Sequence, residues 1–159
     1  MDFARIDPRR SAENAVTWEA EFDGELLFHN DEKIEMDFLG VDSATGRRAA
    51  AGMARRADRK NAQSGKNKSL KDMTEDQILE MARQDESNRA QFYADLCTGW
   101  RNVPFISDDK IDDAKAKPEL LPFSPENALM LFKSRPWMLS GIDAFLANKG
   151  NWQMSVDQG

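Results

Sequence analysis

Apolar residues recur at every second position in two short stretches near the start of the chain. The residues that share this alternation are Val16, Trp18, Ala20 and Phe22 in the first stretch and Ile34, Met36 and Phe38 in the second. A period of two is typical of a strand with one buried face. Asp23-Gly24 is a hairpin turn signal, and residues 25–29 can return as another strand. We therefore predict a small antiparallel sheet over residues 15–41, which needs helices on its apolar face to be stable.

The pattern changes to a helical period after Asp42. Either Asp42 or Ser43 can cap a helix that runs to about Asn61, because both side chains can accept a hydrogen bond from the first free amides. The predicted apolar face is thin and consists of Ala50, Met53, Ala54 and Ala57. Two internal glycines, Gly46 and Gly52, should weaken this helix by about 1 kcal/mol each relative to alanine.

The longest predicted helix follows a polar connection. Residues 62–72 are almost wholly polar and predict a mobile linker. Thr74 and Gln77 have the spacing of a capping box, in which each side chain bonds the backbone N–H of the other residue. The helix is predicted to continue to about Thr98, and Gly99 is placed to end it as a C-cap.

Two short helices follow, and they are predicted to form a helical hairpin. Ser124 is a good N-cap, Pro125 fits the first helical position, and Glu126 places a carboxylate near the positive end of the helix dipole. The segment Ser134-Arg135-Pro136 then interrupts the helix and restarts it. Two short helices joined in this way must turn against each other.

Together these patterns predict a single α+β domain, with a small N-terminal antiparallel β-sheet followed by about four α-helices. The predicted segments are a flexible leader (1–14), the sheet (15–41), a basic helix with a mobile linker (42–72), a helical part with a long loop at 101–123 (73–150), and a polar tail (151–159).

The composition fits such a domain and excludes several classes of protein. Of the 159 residues 40% are hydrophobic, and no apolar run approaches the roughly 20 residues that a membrane span needs. Residues 1–5 lack the apolar stretch of a signal peptide, so we do not expect export. Cys97 is the only cysteine, which excludes a disulfide within the chain and suits the reducing cytoplasm.

Charge is unevenly distributed along the chain. The segment from Ser43 to Lys71 holds nine basic residues and one acidic residue, which gives it a charge of +8. Since the net charge of the chain is −6, the remaining residues together carry −14. Arg47-Arg48 and Arg55-Arg56 can lie on adjoining faces of the basic helix. These arginines can be solvated and simply balance the negative charge of the rest of the chain, or they can contact a protein partner or phosphates. The segment lacks the interleaved aromatic residues that stack on nucleic-acid bases.

Candidate catalytic or metal-binding groups are few. His29 is the only histidine, and a Ser-His-Asp or Cys-His site would have to use it. The loop aspartates Asp108-Asp109 and Asp112-Asp113 lack the alternating ligands and the glycine of a calcium loop. We therefore predict no catalytic, cofactor or metal site.

The four tryptophans are predicted to have different roles. Trp18, Trp100 and Trp137 lie in periodic apolar segments and are predicted to belong to the core. Trp152 lies in a polar tail that offers little to bury it. It is therefore predicted to be an exposed contact for a partner.

One stretch resembles a known protein family. It consists of Gly99-Trp100, a loop, Leu121-Pro122-Phe123-Ser124-Pro125-Glu126-Asn127 and a helix that ends near Pro136. This order resembles the tail assembly chaperones of long-tailed bacteriophages. The upstream elements, a strand with a tryptophan, a second strand and a basic helix, are similar as well. The resemblance extends over residues 15–148 and is most specific in the quoted motif.

This resemblance implies a function by binding. Proteins of the family bind the tape-measure protein in the infected cell, keep it soluble and help to recruit tail-tube subunits. For this chain the resemblance implies a tape-measure protein as partner, with tail-tube protein and self-association as further expectations. The resemblance also implies that the protein acts in the host cytoplasm and is absent from the mature virion. It implies no enzymatic activity, no cofactor and no association with a membrane. The alternative is a small nucleic-acid-binding or regulatory protein that uses the basic segment 47–71.

Overall fold

The central sheet joins two strands from the N-terminal part to one strand from beyond the long helix. The computed structural model describes residues 3–5, 7–64 and 70–152. The strands are β1 (Val16–Glu19), β2 (Glu21–Phe22), β3 (Glu25–Leu26), β4 (Phe28–His29), β5 (Glu32–Lys33), β6 (Glu35–Phe38), β7 (Cys97–Arg101), β8 (Pro104–Phe105) and β9 (Glu119–Leu120). The helices are α1 (Pro8–Ser11), α2 (Ala44–Ser64), α3 (Glu75–Leu96), α4 (Pro125–Ser134) and α5 (Met138–Ala147), with 3-10 turns at Phe3–Arg5 and Leu70–Asp72. The predicted α+β class is confirmed.

The strand order of the central sheet is β1-β6-β7, and both pairings are antiparallel. Met36 stands in the middle, opposite Trp18 on one side and Trp100 on the other. All three side chains are buried, together with Phe38. Helices α3, α4 and α5 supply the rest of the core. The inward alternation predicted for Ile34, Met36 and Phe38 is therefore confirmed.

The predicted end of the long helix at Gly99 is wrong. Helix α3 ends at Leu96, and Cys97 already begins β7, in which Gly99 lies opposite Asp37. Gly24 is the glycine with a positive φ in the described part of the chain, so Gly99 does not adopt the left-handed C-cap conformation. Pairing with β6 satisfies the backbone of β7 and brings Trp100 to the core, and these gains override the local C-cap signal.

Two two-stranded ribbons, β2 with β3 and β4 with β5, join the β1–β6 pair of the central sheet at one junction. Ala20 N–H donates to the Ile34 carbonyl (2.9 Å), Leu27 N–H to Ala20 (2.9 Å), and Ile34 N–H to Leu27 (3.2 Å). This ring of bonds splits the predicted strand 25–29 at Leu27. The pairing of β2 with β3 and the positive φ of Asp23 and Gly24 confirm the predicted turn. Phe22, which was predicted to face inward, is exposed.

Helices α2 and α3 lie side by side, and their starts follow the predicted capping chemistry. The Ser43 hydroxyl accepts a hydrogen bond from Gly46 N–H (2.9 Å). Thr74 and Gln77 form the predicted capping box. Helix α2 continues to Ser64, beyond the predicted end near Asn61. Of the predicted mobile linker, residues 62–64 are therefore helical and residues 65–69 lie outside the described residues. Among the described side chains of α2, Ala49 is buried, whereas the predicted apolar positions Ala50, Ala54 and Ala57 are exposed.

Gly46 and Gly52 are expected to respond to alanine with opposite signs. A Cβ at Gly46 would lie against the Val41 carbonyl and 2.9 Å from the Gly40 carbonyl oxygen, whereas at Gly52 it would meet only the flexible end of Arg56, at 3.5 Å. We expect Gly46→Ala to lower the free energy of unfolding by about 1–3 kcal/mol and Gly52→Ala to raise it by about 0.5–1 kcal/mol. Urea titrations of the two variants measure both changes. If Gly46→Ala stabilised the protein instead, the Val41 and Gly40 carbonyls would not lie close to Gly46 as described.

Residues 7–12 and Trp152 pack against the body of the protein, contrary to the sequence interpretation. Asp7 caps α1, and Ala12 is buried, with its carbonyl accepting a hydrogen bond from Gly40 N–H (2.9 Å). A flexible leader therefore does not describe residues 7–12. The prediction that Trp152 is exposed is also wrong, because its side chain is only 2% exposed. Its indole N–H donates to the Phe38 carbonyl (3.2 Å), so the protein body itself supplies the apolar surroundings that the local sequence lacks.

Helices α4 and α5 pack against α3 and make few contacts with each other, so the prediction that they form a helical hairpin is wrong. Ser124 caps α4 by accepting a hydrogen bond from Asn127 N–H (3.0 Å), as predicted. Helix α5 begins at Met138 without a side-chain cap, so the predicted restart at Pro136 lacks the capping chemistry of the first helix. The Tyr93 hydroxyl of α3 donates to the Asp143 carboxylate of α5. Burial and this hydrogen bond raise the pKa of Tyr93 to about 12.

Candidate functional site

The two halves of the family-like motif meet in space, although 20 residues separate them in the sequence. The Trp100 indole N–H donates to the Leu121 carbonyl (2.7 Å). The Phe123 ring packs edge-on against the Trp100 ring, with their centroids 5.1 Å apart. A buried indole needs such a polar partner, so the pair fixes the start of the segment that leads into α4.

The rest of the motif holds this segment in shape. Leu121 N–H donates to the Val103 carbonyl (2.8 Å), and the Asn127 side chain donates to the Pro122 carbonyl (2.9 Å). Among the other motif residues, Pro125, Glu126 and Pro136 are exposed, and Gly99 lies in β7 next to Trp100. The motif is therefore mainly a structural unit that joins β7 to α4.

Arg135, between α4 and α5, organises the long loop 101–123. Its guanidinium donates to the Ile106 carbonyl (2.6 Å) and to the Asp108 carboxylate (2.6 Å), and it lies over the Phe105 ring at 5.0 Å. The side chain is only 15% exposed. This arrangement holds the ribbon of β8 and β9 beside the connection between α4 and α5, and it fixes the position of the loop at that point.

An apolar groove opens between the ribbon junction, this loop and the segment that runs from α4 into α5. We call it the ribbon groove, and it has a volume of about 270 Å³. Its lining residues are Ala20, Leu27, Phe28, Ile34, Met36, Val103, Pro104, Phe105, Ile106, Leu131, Arg135, Trp137 and Met138. Arg135 is the charged member of this set, and its charge is paired with Asp108. The groove is therefore suited to apolar side chains.

Aromatic side chains stand exposed at the rim of the ribbon groove. Phe28 is 57% exposed and Trp137 is 42% exposed. Phe22, which is 50% exposed, contacts the Trp137 ring edge-on at 5.2 Å. Sequence reasoning placed Phe22 and Trp137 in the core, because each sits at the correct period of its strand or helix. The cluster of acidic residues around Phe22 was the available sign that this ribbon faces solvent.

The four arginines predicted to contact a partner differ in their exposure. Arg47, Arg48 and Arg55 are exposed on α2. Arg56 is partly buried, and its Nε donates to the Asn88 side chain of α3 (3.3 Å). Three of the four arginines thus face solvent, while Arg56 connects the two helices.

The Cys97 thiol and the backbone of His29 take part in the packing around β7. Burial raises the pKa of the Cys97 thiol to about 12, so the thiol stays protonated at neutral pH and is a poor nucleophile. The Asn102 side chain donates to the His29 carbonyl (2.8 Å) and to the Glu32 carbonyl (3.0 Å), which ties β7 to the ribbon of β4 and β5.

The described residues also bear on metal binding and on membrane insertion. Within residues 3–5, 7–64 and 70–152, no three or more His, Cys, Asp or Glu side chains are placed to hold a metal ion together. Across that same part of the chain, no helix has the length and apolar character needed to cross a membrane.

The chain was also compared with known proteins. No protein-family model matches it, and neither a curated protein nor a solved structure matches it.

Proposed function

We propose that this protein is a tail assembly chaperone of a long-tailed bacteriophage, which binds the tape-measure protein and keeps it soluble before assembly. The observation that carries the proposal is the contact between the two halves of the motif that resembles this family. Trp100 and Leu121-Pro122-Phe123 form one unit through the indole hydrogen bond and the Phe123 contact. A motif whose separate halves depend on each other is more specific than either half alone.

The ribbon groove supports a mechanism by binding. A long helical client exposes apolar stripes before it assembles, and these stripes aggregate unless a partner covers them. The groove offers apolar lining, and Phe28 and Trp137 stand exposed at its rim. Amphipathic helices bind such grooves through large apolar side chains at helical spacing. Many copies along one client can hold it through individually weak contacts, because their binding is linked by the client.

Co-expression tests this proposal. The tape-measure protein of the same phage is expressed alone, with this protein, and with an unrelated acidic protein of similar size. We expect the client to be soluble and to co-purify with tagged chaperone only in the second case. A client that stays insoluble, or that is soluble without forming a complex, would contradict the proposal. The nucleic-acid alternative predicts instead DNA binding through Arg47, Arg48 and Arg55, with affinity falling steeply as salt rises.

A further inference from the structure

We propose that the ribbon groove and the acidic ribbons beside it bind a cationic amphipathic helix of a partner protein. The inference rests on the proposed function, from which it takes that the partner is helical. It adds which face of this protein binds the partner and which charge the bound helix carries. It follows from three features: the size of the groove, its exposed aromatic rim, and the charge of the ribbons β2–β5.

The groove is large enough for bulky apolar side chains. An apolar cavity of roughly 150 Å³ can hold benzene, and the ribbon groove measures about 270 Å³. Its inner wall includes Met36 and Leu131, which are almost fully buried. The volume therefore fits a phenylalanine or leucine side chain, much of whose apolar surface would be removed from water there.

The aromatic rim supplies contact area outside the groove. Phe28 and Trp137 line the opening, and Phe22 extends it by contacting Trp137. Each ring has about half of its surface exposed. Clustered aromatic residues next to an apolar pocket are the usual anchors of a protein interface.

The charge of the ribbons selects the partner. Residues 21–33 contain five acidic residues, Glu21, Asp23, Glu25, Asp31 and Glu32, against the single lysine Lys33, a net charge of −4. All five acidic residues are exposed. The positive charge within the groove, that of Arg135, is neutralised by Asp108. A helix with lysine or arginine beside its apolar stripe is therefore favoured, and an acidic helix is repelled.

The basic helix of a second copy is a poor occupant for the ribbon groove. Among the side chains of α2 that the structure describes, the exposed apolar ones are alanines, including Ala50, Ala54 and Ala57. Their methyl groups are too short to fill a groove of this volume. The acidic ribbons would attract the basic helix α2 of a second copy, but alanine side chains cannot fill the groove. We therefore assign the surface to a different protein.

Two matched peptides test the assignment. Both are amphipathic helices of about 20 residues, enough for several helical turns, with the same leucine and phenylalanine stripe. One carries lysine and arginine on its polar face, and the other carries glutamate. Fluorescence anisotropy with labelled peptide measures their binding to the full chain. We expect the cationic peptide to bind, the acidic peptide not to bind, and added salt to weaken the complex.

Surface variants locate the binding face. Phe22→Ser and Phe28→Ser are expected to weaken the cationic peptide about tenfold or more, a loss of the size seen at interface anchors. Leu120→Ser is the matched control, because Leu120 is 58% exposed and lies outside the ribbon groove. Equal binding of the two peptides, or unchanged binding by both Phe variants, would overturn the assignment. A dimer of this chain that Phe28→Ser dissociates would also overturn it, since the occupant would be a second copy.

The same variants separate this inference from the proposed function. If the tape-measure protein co-purifies equally well with wild-type protein and with Phe28→Ser, the chaperone function stands and the binding face lies elsewhere. If the cationic peptide binds as expected but no tape-measure protein co-purifies, the surface is correct and the proposed client is wrong.

Discussion

Replacing Trp152 with alanine is expected to lower the free energy of unfolding by about 3–5 kcal/mol, the usual cost of removing a large aromatic side chain from a core. Trp152 is 2% exposed, its ring contacts Phe145 with centroids 5.1 Å apart, and its indole N–H bonds the Phe38 carbonyl. The substitution removes these contacts and leaves a cavity near the central sheet. Urea unfolding followed by circular dichroism measures the loss.

Trp137→Ala is the matched control for Trp152→Ala. It removes the same kind of side chain from a position that is 42% exposed. The loss at Trp137 should therefore be clearly smaller, since less apolar area returns to water. If the two variants unfold at the same urea concentration as the wild type, Trp152 does not belong to the core and the sequence-based prediction of an exposed residue is correct after all.

Trp100→Ala is expected to have a loss of similar size, about 3–5 kcal/mol. This change removes the buried ring, its contact with Phe123 and the hydrogen bond to the Leu121 carbonyl. Trp100→Phe retains most of the buried ring but leaves the carbonyl without its donor, and a loss of about 1–3 kcal/mol is expected. Urea unfolding of both variants separates the contribution of the ring from that of the hydrogen bond.

Leu120→Ala serves as the control for the Trp100 variants. Leu120 is the neighbour of Leu121 but is 58% exposed, so its truncation should change stability by no more than about 0.5 kcal/mol. If Trp100→Ala is no less stable than Leu120→Ala, the two halves of the motif do not depend on each other. The main support for the proposed function would then be lost.

Local chemistry was sufficient to predict several elements of the fold. The Thr74 capping box, the Ser124 cap and the Asp23-Gly24 turn occur where the sequence places them. Each depends on residues within a few positions of one another, so tertiary contacts are not needed to recognise it. The inward face of Ile34 and Met36 was predictable for the same reason.

Features that depend on distant parts of the chain were not predictable in this way. Gly99 has the local signature of a helix end, but this segment forms a strand because its backbone pairs with the free edge of β6. Trp152 has a polar neighbourhood in sequence, yet Phe38, more than 100 residues earlier, supplies its hydrogen-bond acceptor. In both cases long-range pairing overrides local preference.

The candidate site shows the same division between local and distant information. The motif around Trp100 and Leu121 could be recognised from residue types, but the hydrogen bond that joins its halves could not. The ribbon groove was missed because Phe22 and Trp137 carry the period of buried residues. The ribbons that carry Phe22 and Phe28 at the surface join the central sheet through Ala20, Leu27 and Ile34, a geometry that no single segment specifies.

The most direct measurement of the central claim is the aggregation of the tape-measure protein after dilution from denaturant, followed by light scattering. The dilution is made without additive, with this protein, and with its Phe28→Ser variant. We predict that the wild-type protein suppresses the scattering as its concentration approaches that of the client's binding segments, and that the variant does so less well. Scattering that is unchanged at any concentration of the wild-type protein would contradict the account.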